Sequence, residues 1–267
     1  MGGPEAPADA WSSGQSYESY VGRWSRLVAG RFLAWLDAPA ADRWLDVGCG
    51  TGALTETVLR DCEPSVIVGI EPSTAFREHA AGHVRDRRVT FVAGGAEALP
   101  LDDESFDAVV SGLVLNFVPD RVAGLREMRR VARPGATVAA YVWDYPGEMQ
   151  LLNYFWDTAV ALFPAAGPRH EGVRFDFCRP EPLHGLFDDA GLREVATDGV
   201  VVPVDFGFFD DYWAPFLRGT GPAPSFAMSL SDADRVALRE ALRVRMPTDD
   251  DGSIHLSARA WAIRGSA

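Results

Sequence analysis

The chain has 267 residues, 47% of them hydrophobic, so it holds core enough for one large α/β domain or two small ones. A formal net charge of −13 disfavours a partner held by its phosphates, and the 25 basic Lys+Arg positions are all arginine. The absence of lysine removes a pyridoxal-phosphate Schiff base, a Walker-loop lysine and a kinase's strand lysine.

The first sixteen residues lack the basic start and apolar centre of a signal peptide, and a flexible tail is expected there, with residues 17–267 forming a single domain. From Ser16 to Leu36, Tyr17, Tyr20, Trp24, Leu27, Val28 and Trp35 recur at helical spacing, and Arg23 borders that apolar face. Strands are expected at Arg43–Val47, Val66–Ile70, Val89–Val92, Phe106–Ser111 and Ala136–Trp143, then at Glu194–Val204 and His255–Ile263. Helices are expected at Gly52–Arg60, at Ser73–Val84 and at Asp120–Ala132, the last capped by Asp120 and stopped by Pro134-Gly135. A further helix follows Ser231 in "SDADRVALREALRVRM". Strands alternating with helices call for a Rossmann-like, doubly wound α/β sheet. The aromatic, proline-rich stretch at about 146–191 is expected to be a helical insertion after the fifth strand, acting as a lid.

No apolar run approaches the roughly 18 residues of a membrane span, and the three cysteines are scattered, so a cytoplasmic protein without a membrane partner is expected. "VRDRR" (Val84 to Arg88) reads as a solvated turn, not a nucleic-acid site, and "TDDDGS" (Thr248 to Ser253) as a turn without an EF-hand's ligand spacing. His79 and His83, four apart on a helix, have no third ligand in view, and no metal is expected.

The chemistry concentrates in "LDVGCGTGALT", residues 45 to 55. A glycine-rich turn between a strand and a helix is where an open α/β sheet takes its ligand. Here Gly48, Gly50 and Gly52 give G-x-G-x-G, one residue short of a dinucleotide fingerprint, and the strand ends in Asp46. A carboxylate at that point repels a pyrophosphate and suits an ammonium group. Glu71 ends the second strand in "VGIEPS", at the distance along the chain from which an acid grips ribose hydroxyls. Together these features describe S-adenosylmethionine (SAM).

"WLDVGCGTGALT", "GIEPS", "GGAEALPLDDESFDAVVSGLVLNFV" and "RRVARPGATVAAYVW" resemble, in order and spacing, the motifs of class I SAM-dependent methyltransferases of the small-molecule, quinone-biosynthesis-like group. The resemblance covers residues 43 to 143, and it implies a last strand antiparallel beside the fifth. It places Asp46, Gly48, Cys49 and Gly50 at the methionine part, Glu71 at the ribose, and Pro72, Ser73, Ala96 and Glu97 at the adenine. Ser111, Gly112 and Leu113 would lie by the sulfonium, with Tyr20 and Arg23 of the leading helix at the SAM carboxylate. Many members carry an aspartate where this chain has Gly95. Asp46 as a mere loop cap and Glu71 as an ordinary surface acid stand as alternatives, and Cys49 itself reads as a small residue in a tight turn.

The resemblance implies methyl transfer to a hydrophobic small molecule, and the aromatics from Tyr145 to Trp213 suit such an acceptor. His170, Asp144 and Tyr141 are candidates for a general base, which is needed only if the acceptor must lose a proton. A same-fold SAM enzyme catalysing another reaction such as a cyclisation, a non-catalytic SAM-binding module and an NAD oxidoreductase remain alternatives. Oligomeric state is not legible.

Overall fold

The computed structural model describes residues 22–37, 42–218 and 221–267. Its strands are β1 (Arg43–Val47), β2 (Val66–Ile70), β3 (Val89–Val92), β4 (Phe106–Gly112), β5 (Ala132–Trp143), β6 (Arg193–Phe206) and β7 (Ile254–Ser266). They form one seven-stranded sheet in the order β3-β2-β1-β4-β5-β7-β6. The pairs β1–β2, β2–β3, β1–β4 and β4–β5 are parallel, and β7 runs antiparallel to β5 from Thr137↔Ser266 to Trp143↔Ala260. The last strand therefore lies beside the fifth, inside the sheet and not at its edge. Parallel strands buried on both faces read as apolar runs, and Leu45, Ile67, Val109 and Val138 are all fully buried.

Helices α1 (Arg23–Leu36), α2 (Ala53–Asp61), α3 (Thr74–His83) and α4 (Arg121–Val131) belong to this unit. The Ser73 side chain caps α3 by accepting from Phe76 N, and Asp120 caps α4 by accepting from Ala123 N at 2.9 Å. Two expectations need correcting. On α1 the buried face is Trp24, Ser25, Val28, Ala29, Phe32, Leu33 and Leu36, while Leu27 is 49% exposed and Trp35 only half-buried. The expected residues 16–21 of that helix lie outside the described residues. And Pro134-Gly135 does not stop α4: the helix ends at Val131 and β5 begins at once. The β4–β5 register jumps from Phe106↔Ala132 to Ala108↔Thr137, and Gly135, at φ +78°, takes the bend.

The chain divides into two compact units. The sheet unit holds residues 22–143, 177–201 and 260–267; the described part of the other is 144–176, 202–218 and 221–259. That second unit is mainly helical, with α5 (Gln150–Leu162), α6 (Glu171–Arg174), α8 (Phe209–Trp213), α9 (Pro222–Ser229) and α10 (Asp232–Arg245); α7 (Pro180–Asp189) lies in the sheet unit. Phe155 stacks on Phe216 at 4.5 Å between centroids, Trp156 lies 5.5 Å from Phe226, and Tyr212 donates from its hydroxyl to Leu151 O. Much of the aromatic density seen in the sequence is therefore this unit's own core. Ser231 caps α10 as expected. Among the described residues, no helix is long and apolar enough to cross a membrane.

Candidate functional site

Strands β1 and β4 are neighbours from which the strand order runs in opposite directions, the switch point where open α/β sheets bind ligands. The glycine turn sits there, and its three glycines all have positive φ, at +75°, +54° and +88°. Their surroundings differ. A Cβ on Gly48 would lie 2.6 Å from the Val114 side chain, and one on Gly52 would lie 3.0 Å from Val84 Cγ2 of the residue that ends α3. A Cβ on Gly50 would meet nothing nearer than Gly48 O at 3.9 Å. Among the described residues, Gly50 alone of the three keeps an open face.

The turn's amide hydrogens are engaged within the protein. Gly48 and Cys49 donate to Ile70 O, Gly52 donates to Cys49 O, and Gly50 donates to Glu71 Oε2 at 3.2 Å. At a phosphate-binding turn such amides would point at the ligand. Here a carboxylate of the protein takes an anion's place, which accounts physically for the missing dinucleotide fingerprint.

Asp46 is 1% exposed. Its Oδ2 accepts from Thr55 Oγ1 of α2 at 2.6 Å, while Oδ1 is buried with no hydrogen-bond partner among the described residues. Burial lifts its pKa from 3.8 to about 7, with Thr55 pulling downward and the Glu71 charge upward. Glu71, also buried, accepts from Ser73 N at 2.9 Å as well as from Gly50 N. Desolvation raises its pKa against those two amide bonds. A carboxylate has about four acceptor positions, so Glu71 retains capacity for two more donors. Cys49 is buried, and desolvation together with the charges of both acids pushes its thiol pKa up, which disfavours the thiolate.

At the end of β4, Ser111 is buried and donates to Val47 O at 2.8 Å, tying β4 to β1. A Cβ on Gly112 would lie 2.5 Å from the Tyr141 hydroxyl, and Leu113 holds φ +62° while donating from its amide to Tyr141 O. Pro72 is exposed, and Ser73 opens α3. Ala96 is half-buried, and Glu97 accepts from Asp120 N at 2.8 Å. A Cβ on Gly95, where the resemblance implies an aspartate in many members, would meet nothing within 4 Å among the described residues. Arg23 begins α1 with its guanidinium carbon 4.0 Å from the centre of the Trp24 ring, and Tyr20 lies outside the described residues. Thr55 was missed by sequence reasoning; its one signal was a hydroxyl nine residues beyond Asp46 on the following helix.

The three base candidates are each engaged locally. Asp144 is 2% exposed and accepts from Arg259 Nε and Nη2 at 2.9 and 2.7 Å and from Glu148 N. The His170 side chain caps α6, its Nδ1 accepting from Gly172 N at 2.9 Å, with Nε2 3.5 Å from Asp157 Oδ1. Tyr141 is buried against Phe32 of α1, ring centroids 4.7 Å apart.

A buried carboxylate oxygen without a donor, a glycine with one open face and a second acid with spare lone pairs fit the ammonium, body and ribose of SAM. Comparison with known proteins agrees. The methyltransferase domain family matches residues 45–140. The demethylmenaquinone methyltransferase of Roseiflexus sp. (strain RS-1) is 44% identical over 167 residues, 59% of this chain and 70% of that one. A ubiquinone/menaquinone biosynthesis C-methyltransferase of Geobacter sulfurreducens is 34% identical over 184 residues, 67% of this chain and 64% of that one. In fold, the chain resembles an Anabaena variabilis structure described as a methyltransferase of an antibiotic biosynthesis pathway, with TM-score 0.62 and 20% identity over 90% of this chain and 97% of that one. By these relatives and this turn, the chain belongs to the class I SAM-dependent methyltransferases: it is an enzyme, and SAM is its cofactor.

Proposed function

We propose that the methyl acceptor is a hydrophobic small molecule of the quinol class, methylated on ring carbon. The relatives' named substrates support the quinol, and the observation that carries the cofactor half is the Oδ1 of Asp46, without a partner among the described residues, in the same turn as the open Gly50. Bound SAM supplies a methyl carbon activated by its sulfonium. This chain's residues mainly orient it. Asp46 would hold the ammonium with Gly48, Cys49 and Gly50 beneath it. Arg23 would pair with the carboxylate in two-point fashion, and Tyr20 is proposed as a further contact. Glu71 would accept from the ribose hydroxyls, and Pro72, Ser73, Ala96 and Glu97 would border the adenine. Ser111, Gly112 and Leu113 would flank the sulfonium. A ring carbon becomes nucleophilic when a neighbouring hydroxyl ionises, and Tyr141, Asp144 and His170 remain the candidates for taking that proton. We also propose a lid role for residues 146–191, which ligand-dependent hydrogen exchange in that segment tests.

The test is incubation of the full chain with SAM and a short-chain naphthoquinol, followed by mass spectrometry. S-adenosylhomocysteine (SAH) and a ring-methylated product are expected in equal amounts. SAM binding without SAH formation across a panel of quinols would overturn the acceptor class, and SAM consumption without SAH would point to a different reaction.

A further inference from the structure

We propose that the sheet unit carries a second ligand site, a cavity of about 480 Å³ that takes a small phosphoryl-bearing anion of diphosphate size. It lies where β4 and β5 begin, at the opposite end of the parallel strands from the glycine turn. β4 alone, running from Phe106 to Gly112, separates the two ends by on the order of 20 Å. Arg126, Arg129, Arg130 and Arg193 line the cavity together with Asp103 and Glu104, a local excess of positive charge in a chain whose net charge is −13. The volume lies in the range of small-molecule sites.

The four arginines are not equivalent. Arg130 is committed within the protein, donating to Glu127, to Asp103 and to the Leu99 and Leu101 carbonyls. Arg126 Nη2 donates to Asp189 O at the end of α7, and Arg193 Nη2 donates to Ala267 O. Among the described residues, Arg129 has neither an acceptor nor an ion pair, and neither Arg126 nor Arg193 meets an acidic side chain. Arginines in the last turn of a helix ordinarily serve its carbonyls and its dipole. At α4 those carbonyls are taken by backbone: Met128 O accepts from Ala132 N, Arg130 O from Glu104 N and Val131 O from Ser105 N. The carbonyls that end α7 are also taken, Leu186 O by Ala190 N, Asp188 O by Gly191 N and Phe187 O by Leu192 N. Arg129 is nonetheless held in place. Its guanidinium lies against the backbone at Gly191, with Nη1 2.9 Å from where a Cβ would stand, and Gly191 has φ +80°.

The donor set selects the ligand. A guanidinium fork matches two oxygens of a carboxylate or of a phosphoryl group. One fork occupies both oxygens of a planar carboxylate. A phosphoryl group presents three oxygens in different directions and accepts from forks on different elements, here α4 and the start of β6. Each guanidinium has five N–H donors, and Arg126 and Arg193 each spend one on a carbonyl. Glu104 offsets part of the positive charge, so an ion with a single charge gains little and a diphosphate gains more.

Calorimetry of the full chain in the presence of excess SAH tests this with inorganic diphosphate and with malonate, at constant ionic strength. Diphosphate should bind saturably, one per chain, and at least about fivefold more tightly than malonate. Arg129→Gln should weaken it about tenfold or more, the worth of a charge-assisted contact, and Arg129→Lys, which keeps the charge and loses the fork, about threefold or more. Arg87→Gln, which removes an exposed arginine outside the cavity, should change it less than about twofold. Thermal melts establish folding, and Arg193→Gln supplies the same loss from a different element. Binding that does not saturate, an equal loss in Arg87→Gln, or an unchanged affinity in folded Arg129→Gln and Arg193→Gln overturns the site. Malonate bound as tightly as diphosphate overturns the phosphoryl assignment.

Discussion

Cofactor affinity should depend on pH through Asp46. Its carboxyl is buried, one oxygen bonded to Thr55 and the other without a donor among the described residues, and burial raises its pKa from 3.8 to about 7. Because the folded state holds this proton more tightly than the unfolded state does, folding stability of the ligand-free protein falls as pH rises from near 4 through about 7. Binding of an ammonium group runs the other way, since only the ionised carboxylate pairs with it. With a pKa of about 7, roughly a tenth of the sites are ionised at pH 6 and roughly nine tenths at pH 8. SAM affinity should therefore rise about tenfold between those values, with proton release near neutral pH. Asp46→Asn keeps the shape and the contact to Thr55 but cannot ionise. It should bind SAM about ten- to a hundredfold more weakly at pH 8, the worth of a charge-assisted hydrogen bond, and lose the slope between pH 6 and 8. Calorimetry in two buffers of different ionisation heat reads both quantities, and titration of the ligand's own amine cancels because it is common to both proteins. A wild-type affinity flat across this window, or an Asn variant with the same slope, would refute the pairing of Asp46 with the ammonium.

Two alanine substitutions in the turn should separate packing from binding. Gly52→Ala meets Val84 at 3.0 Å with φ +88° and should lose about 1–3 kcal/mol of stability in denaturant melts with SAM affinity intact once folded, whereas Gly50→Ala meets only Gly48 O at 3.9 Å and should lose about 1 kcal/mol of stability but more than tenfold in affinity. Asp144→Asn breaks an ion pair whose carboxylate is 3% exposed and whose Arg259 partner is 25% exposed, and urea unfolding should show a loss of about 2–4 kcal/mol. If Asp144 were instead the general base, turnover would vanish while stability held. Gly95→Asp puts a carboxylate into open space at a residue without positive φ, and calorimetry should show SAM binding tightened about three- to tenfold.

Features set by local chemistry were legible in the sequence. β1, β2 and β3 run over the residues their apolar runs mark, and Ser73, Asp120 and Ser231 cap the helices they precede. These follow from side chains acting on backbone a few residues away. Pro134-Gly135 misled because the same pair that ends a helix also suits a bulged strand. Which one it serves depended on β4 alongside, where Phe106 and Ala108 pair with Ala132 and Thr137. On α1, large apolar residues at helical spacing outlined a face turned from the real one: Leu27 and Trp35 counted toward it, but the buried side runs through Ser25, Ala29 and Leu33 as well as Trp24, Val28, Phe32 and Leu36.

The glycine turn shows why a site is harder to read than a fold. Gly48, Gly50 and Gly52 are alike in the sequence, alternate in position and share positive φ, yet each is required for a different reason. Val114 occupies the face of the first and Val84 that of the third, and both come from distant parts of the chain. Among the described residues, the middle one alone faces open space, so a cofactor can approach there without displacing any of them. The same holds for the acids. Asp46 and Glu71 could be picked out as strand-ending carboxylates, but not that Glu71 holds the Gly50 amide or that Asp46 keeps one oxygen without a donor. Those facts belong to neighbours 21 residues apart in one case and to an absence of neighbours in the other. A buried carboxylate with one oxygen left over raises the energy of the empty protein, and an ammonium ligand lowers it again. The strain of the ligand-free state and the specificity for the ligand are, at Asp46, one property.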